Sequence, residues 1–423
     1  MSAASPRVLV IGGGLGGLCL AQGLRRSGVP VTVHERDASP FARHQGYRIH
    51  LDARGIRGLR HCLPPRLFDL FVATSGQPGE QVTVVNERLR QLHAIRLPET
   101  GDVVDADRST PINRLTLREV LLAGLDGVVR FGQELTRYER LPDGTVLAHF
   151  AGGGSAAGDV LVAADGVGSR VRQQLLPHAA VVDTGVRCVY GRTPLTAESW
   201  RLVPDPVRLG FTAVIGRRRE GMALGLMEFR RRPEQVAEDL WPGLRLRPQA
   251  DYLMWALTAP GARYPASDEE MEALDGPALQ QVVLDLTRGW HPDLRGLVER
   301  AEPAETFYLA VRTSVPIDHW ETGNVTLLGD AIHAMSPAGG SGANTALLDA
   351  GLLCADLVAV ALGRRPLLKA IRDYEERMVG YGFDAVRASE EASARYAGHR
   401  QGRLLRWLAE HLGGQPAKAA ARS

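Results

Sequence analysis

From Val8 to Asp37 the chain reads VLVIGGGLGGLCLAQGLRRSGVPVTVHERD, and this stretch restricts the fold more than any other. A continuous apolar run suits a strand buried on both faces of a parallel sheet. Gly12, Gly14 and Gly17 then form GxGxxG between that strand and a segment of helical spacing, which Gly28 stops. The first glycine permits a tight turn, the second lets backbone approach a pyrophosphate, and the third lets helix and strand pack closely. The helix N-terminus offers free N–H groups and partial positive charge to phosphates. VTVHERD reads as the next strand, and Glu35 at its end sits where a carboxylate binds adenosine ribose hydroxyls. The unit implies an α/β fold with a dinucleotide site, without separating FAD from NAD.

A chain of 423 residues with 44% hydrophobic content has room for two cored domains. Helices are expected at Ala53–Cys62, Pro65–Ser75 and Arg114–Leu122, and a hairpin from QVTVVNE and RQLHAIRL. Short strands with turns at PDG and GGGSAAG follow up to Ala163. Strand-like pieces at Val186–Tyr190, Val207–Ile215, Met222–Phe229 and Tyr252–Thr258 then suggest a second, mixed sheet. The expected layout is a discontinuous Rossmann-like FAD-binding domain (1–177 and 316–365), a substrate domain (178–315), a helical segment (366–413) and a disordered tail (414–423).

A net charge of +2 gives no case for nucleic acid or an acidic membrane as partner. The four cysteines lack metal-type or CxxC spacing, so no metal is expected and the thiols read as reduced, in a cytoplasmic protein. MSAASPRVLVIGGG runs straight into a strand with no signal pattern. The longest apolar run, Leu347 to Leu362, is broken by Asp349 and Asp356, so a packed helix is expected there and not a membrane span. The amphipathic GRLLRWLAEHL near the end reads as packing on the protein body or at a subunit contact.

Two further segments carry chemistry. VLVAADGVGSRVRQQL places Asp165, Gly166, Ser169 and Arg170 between a strand and a helix. LLGDAIHAMSPAGGSGANTALLDAGLL runs from a strand, through Asp330 and a glycine loop, into a helix starting near Gly342. Such a loop can lay backbone N–H groups against a flat ring edge, and the positive helix end favours negative charge on that ring.

Together GGGLGG…HERD, DGVGSRVR and LLGDAIHAMSPAGGSGANTALLDA resemble the signature set of the single-component, group A FAD-dependent monooxygenases, the para-hydroxybenzoate hydroxylase-like family. Order and spacing fit from Val8 to about Leu412. The resemblance implies that Gly12, Gly14 and Gly17 hold the FAD pyrophosphate, that Glu35 binds the ribose and that Arg36 lies near the adenine. It assigns Arg114, in INRLTLREVLL, to the phosphate and ribityl region, Asp165 and Arg170 to the neighbourhood of the pyrophosphate, and Asp330 to the ribityl or phosphate portion. Pro337 and the loop of Gly339, Gly340 and Gly342 would line the isoalloxazine, where the family forms its flavin C4a-hydroperoxide, and Asn344 just past it would be among the cofactor-binding residues. Gly46 and Arg48 fall where the family chain passes the mobile flavin; Arg48 could contact flavin or substrate, or be structural.

There is no second strand–GxGxxG–helix unit, which fits NADPH or NADH as a transient co-substrate. The implied function is NAD(P)H- and O2-dependent hydroxylation of an aromatic or polyketide-like small molecule, in secondary metabolism, by a monomer or homodimer. Epoxidation, Baeyer–Villiger-type oxidation, prenyl-chain reduction on the same fold, or a flavin-binding accessory protein without turnover remain open. Phe211, Met227, Met254 and Trp255 are candidates for an apolar substrate wall. No general base is assignable among His50, His319 and His333.

Overall fold

The computed structural model describes residues 5–40, 42, 47–97, 110–397 and 415–416. Gly46 and the GRLLRWLAEHL segment lie outside the described residues, as does the expected tail apart from Gln415–Pro416.

The strands in chain order are β1 (Val8–Ile11), β2 (Val31–His34), β3 (Arg48–Leu51), β4 (Gln81–Asn86), β5 (Gln91–Arg96), β6 (Thr110–Asn113), β7 (Val129–Arg130), β8 (Leu135–Arg140) and β9 (Val146–Phe150). They continue as β10 (Ser155–Gly158), β11 (Val160–Ala163), β12 (Val181–Pro194), β13 (Gly210–Ile215), β14 (Gly221–Met227), β15 (Tyr252–Pro260), β16 (Phe307–Ser314), β17 (Val325–Leu327) and β18 (Gln415–Pro416). One parallel sheet has the order β17-β11-β1-β2-β7. Its central strands are the VLVI and VLVA runs, buried along their whole length as the continuous apolar pattern requires.

The second sheet is mixed, ordered β16-β12-β15-β14-β13-β4-β5-β18, with β13 and β4 parallel and the other pairs antiparallel. The hairpin expected from QVTVVNE and RQLHAIRL forms as β4 and β5, and it belongs to this second sheet. Val207 is helical (Asp205–Arg208), because Pro204 and Pro206 start a turn there, and strand begins only at Gly210. Helices Asp268–Glu272, Gly276–Leu286 and Pro292–Glu299 cover one face of the sheet. The opposite face looks at the first domain. There Tyr252 Oη accepts from Asn113 Nδ2 at 3.0 Å, and Tyr47 stacks on Tyr190 at 5.1 Å.

The helix Gly342–Ala361 is long and apolar enough to cross a membrane by length and composition. In this fold it packs against the helices Leu15–Arg26, Ala53–Cys62 and Leu367–Ala397. Leu347, Ala350, Leu353 and Leu357 are buried in those contacts.

Candidate cofactor and substrate site

The register of the parallel sheet assembles the first half of the site. Ile11 pairs with both Ala163 and His34, and Ala163 pairs with Leu327. The residues just past those four strand ends are Gly12, Asp165, Glu35 and Asp330, so segments more than three hundred residues apart in sequence converge on one edge. That edge, beyond the carboxyl ends of parallel strands, is where open α/β sheets bind ligands.

The glycine loop has the geometry its sequence implies. Gly12 has φ +109°, and a Cβ there would collide with the Ala164 carbonyl oxygen. Gly17 lies against the Gly12 carbonyl, so helix Leu15–Arg26 can seat on β1. Gly14, at the N-cap of that helix, meets nothing within 4 Å on its Cβ side, which leaves the helix N-terminus open. Glu35 accepts from Gly13 N at 2.6 Å and from Asp37 N at 2.9 Å, and is 1% exposed. It therefore braces the glycine loop against the end of β2. Arg36 is exposed beside it.

Sequence reasoning passed over two arginines that hold this edge together. Arg118, buried, donates from Nε to Gly13 O at 3.1 Å and from Nη1 to Pro40 O. Arg172 donates from Nη1 to Val167 O at 3.0 Å and to Ala331 O at 2.9 Å, tying the Asp165 loop to the Asp330 helix. Arg118 lies one helical turn beyond Arg114, and that spacing was the only available signal.

Several polar atoms are left for a ligand. Arg114 Nη1 and Asp165 Oδ1 are buried without a hydrogen-bond partner. Burial raises the pKa of Asp165, though Ser169 and nearby backbone N–H groups counter it. Arg170 points elsewhere: its backbone N–H caps Asp165 at 3.0 Å, while its side chain pairs with Glu134 at the surface. Asp330 is open to solvent, yet surrounding protein raises its pKa against the opposing charges of His333 and Arg114.

Beneath Asp330 lies a cluster centred on the fully buried Asp349 and His333. Asp349 accepts from Gly329 N at 2.7 Å, from His333 Nε2 at 2.7 Å and from Tyr381 Oη at 2.6 Å. Burial disfavours the His333 cation, but Asp349 outweighs it and the pKa is raised. His333 is thus spent on holding the loop. His50 is pushed down to about 4 by burial, with Arg48 adding to it. His319 stacks on Trp320 away from the cleft.

The glycine loop before helix Gly342–Ala361 is positioned from two sides. Ser336 begins a short turn over Pro337–Gly339, and Gly340 ends it at φ +61°. Gly339 packs against Ser389, and Ser393 Oγ donates to Ser336 Oγ at 2.6 Å, both from the helix Leu367–Ala397. On the other side Asn344 donates to His50 O at 2.8 Å and Gly340 O at 3.0 Å, and accepts from Asp52 N at 2.9 Å. The Asn344 side chain is therefore consumed in fixing the loop. What it leaves facing the cleft is backbone N–H at the helix start, with Gly342 beside Asp330.

The second sheet supplies the facing wall. Phe211 clusters with Ala338 of the glycine loop, Met227 is buried on the same side, and Met254 shares the cluster of Met227 and Tyr190. Arg48 lies over Gly225 and donates from Nε to Leu226 O at 2.9 Å; burial lowers its pKa to about 10. Trp255 does not join this wall. Alternation along β15 turns it to the opposite face, where it is 0% exposed against Val283, Leu294 and Leu297.

The residues present fit FAD. The open N-cap at Gly14 and the cation at Arg114 suit its phosphates, the Asp165 and Asp330 carboxylates its ribityl hydroxyls, and the glycine loop its ring. Among the described residues no group of three or more His, Cys, Asp or Glu could hold a metal ion.

Comparison with known proteins agrees with this geometry. A family model described as FAD binding domain matches residues 297–379, and one described as NAD(P)-binding Rossmann-like domain matches residues 10–75. A solved structure from Photorhabdus luminescens, described as a FAD-containing monooxygenase, is 32% identical with a TM-score of 0.80, over 94% of this chain and 100% of that one. The dual O-methyltransferase/FAD-dependent monooxygenase of Cercospora beticola is 32% identical over 94% of this chain and 47% of its own length. The chain thus spans about half of that relative. The aurachin C monooxygenase/isomerase of Stigmatella aurantiaca is 27% identical over 94% of both.

Proposed function

The chain belongs to the para-hydroxybenzoate hydroxylase-like, group A FAD-dependent monooxygenases, and from that premise we propose that it uses NAD(P)H and O2 to hydroxylate an electron-rich aromatic or polyketide-like small molecule in secondary metabolism. The observation that carries the reading is the opposition of two surfaces. A polar edge suited to FAD ends in a side-chain-poor loop, and that loop faces an apolar sheet with one desolvated guanidinium, Arg48. FAD in this site would supply the redox chemistry, accepting electrons from NAD(P)H and activating O2 at its C4a position.

The chain's own share is placement and exclusion. Arg114, Asp165 and Asp330 would hold the phosphates and ribityl chain. The first turn of helix Gly342–Ala361 has N–H groups and a positive dipole end that would favour negative charge on a bound flavin ring. Phe211, Met227 and Met254 would help keep water from a substrate bound against this wall. A substrate whose hydroxyl ionises readily beside Arg48 suits the site. Four free, buried thiols fit work in the reducing cytoplasm.

The test is anaerobic mixing of FAD-loaded protein with NADPH or NADH, with and without a panel of hydroxylated aromatics, following flavin absorbance. Bleaching that a panel member accelerates is the expected result. A flavin that neither nucleotide bleaches under any condition would refute the reading.

A further inference from the structure

Pairing between β13 and β14 stops before either strand ends. The register runs from Ile215 opposite Gly221 to Thr212 opposite Leu224 and goes no further. Each strand continues with its other neighbour, β13 on β4 as far as Gly210 opposite Gln81, and β14 on β15 as far as Met227 opposite Tyr252. The two strands therefore part inside the sheet, and a cavity of about 130 Å³ opens there, lined by Arg48, Gly79, Gly210, Leu226 and Glu228. Arg48 borders the cleft as well. Its Nε donates to Leu226 O at 2.9 Å, and its guanidinium lies over Gly225, which alternation sets on the face of Ala223 and Met227.

Two charges face this cavity without a protein partner. Glu228, just past the end of β14, is half-buried, and its carboxylate makes no hydrogen bond or ion pair with the described residues. Burial raises its pKa, and the nearby charge of Asp251 adds to this. The Arg48 Nη groups are also unpartnered among the described residues, and the two side chains do not pair with each other. The other charges lining the cavity, Glu80 and Arg208, are exposed, and Arg208 donates to Val203 O at 3.1 Å and Trp200 O at 2.9 Å. A half-buried carboxylate without a donor is costly, and an ammonium relieves that cost through a charge-assisted hydrogen bond. The pair also sorts a ligand's charges: an anionic ring oxygen stays at Arg48, and an ammonium runs on to Glu228.

We infer that the gap between β13 and β14 is a side pocket of the substrate site, that it takes a short ammonium-bearing arm on the aromatic substrate, and that Glu228 is the counter-ion of that arm. The inference rests on the monooxygenase reading and adds a second recognition group to the substrate of that site. A neutral arm of the same shape would leave the Glu228 carboxylate desolvated and unpaired, so discrimination comes from the cost of the wrong arm as much as from the right one.

The experiment is equilibrium binding of tyramine and of 4-propylphenol, its neutral isostere, to FAD-loaded protein, followed by flavin fluorescence. The parent protein is expected to bind tyramine at least tenfold more tightly. Glu228→Gln should reduce that preference to less than threefold while changing the affinity for 4-propylphenol less than threefold. Glu80→Gln removes an exposed carboxylate of the same charge and should leave the preference in place; retained FAD shows that each variant is folded. No binding of tyramine, equal affinity for both probes in the parent, or a preference that survives Glu228→Gln overturns the proposal. So does a preference that Glu80→Gln removes as fully, since that would be the general field of the surface. If the preference behaves as expected but NAD(P)H never bleaches the flavin, the side pocket stands and the monooxygenase reading falls.

Discussion

Arg114 sits at the start of helix Arg114–Leu122 with Nη1 buried and unpartnered, its guanidinium 5.7 Å from the Tyr47 ring centroid. An unsatisfied buried donor costs about 1–3 kcal/mol, a penalty that a bound FAD phosphate would relieve here. Arg114→Gln should therefore leave urea stability of the apoprotein unchanged or slightly higher, yet weaken FAD at least tenfold in a fluorescence titration. Undiminished FAD affinity would show that the orphan serves something else. Glu375 poses a separate question of charge. It is 0% exposed, accepts from Thr322 Oγ1 at 2.7 Å, and burial raises its pKa to about 7 against hydrogen bonds that lower it. An acid whose folded pKa exceeds its unfolded value keeps its proton longer in the folded state. Stability then falls as pH rises from the unfolded pKa near 4.3 toward 7, by about 3 kcal/mol in all. Glu375→Gln should flatten that slope in denaturation measured between pH 4.5 and 7. Of the residues involved, Arg114 was legible from its motif. Arg118 and Arg172 were not, because their acceptors are backbone carbonyls 78 and 159 residues away.

Among the elements, β15 shows how far a pattern reaches. Its sequence YLMWALTAP is apolar on both faces, which marks a central strand but does not say which face meets the ligand. The structure assigns Tyr252, Met254 and Ala256 to the cleft and Leu253, Trp255 and Leu257 to the helical layer. Trp255→Ala should consequently cost about 3–5 kcal/mol in unfolding free energy, the usual penalty for a large core aromatic. Phe211→Ala, on a half-buried cleft residue, should cost under about 2 kcal/mol and show mainly in ligand binding. Comparable losses of stability in the two variants would contradict the facing described. The helices Ala53–Cys62 and Arg114–Leu122 formed at the expected bounds because caps mark them: the Asp52 and Asn113 side chains each accept two backbone N–H groups at the N-terminus. The helices between Asp268 and Glu299 went unread, since short capped helices in a charged, Pro-containing stretch look like loops until a sheet face needs covering.

For the molecule as a whole, the site lies where the two sheets meet, so occupancy should stabilise both. FAD at one hundred times its Kd adds about 2.7 kcal/mol if it binds only the folded state. One thermal transition that moves upward with FAD is the expected result; two transitions, of which only one responds, would show the sheets to be energetically separate. The sequence alone determined the parallel sheet, the glycine turn, the acid at its second strand and the loop before Gly342. These are local matters: a turn that only glycine fits and a period that only one element satisfies. Tertiary structure decided which strand ends stand side by side and which face of β15 sees the cleft. Those depend on register between distant strands, and register follows from packing of the whole core, which no local stretch encodes.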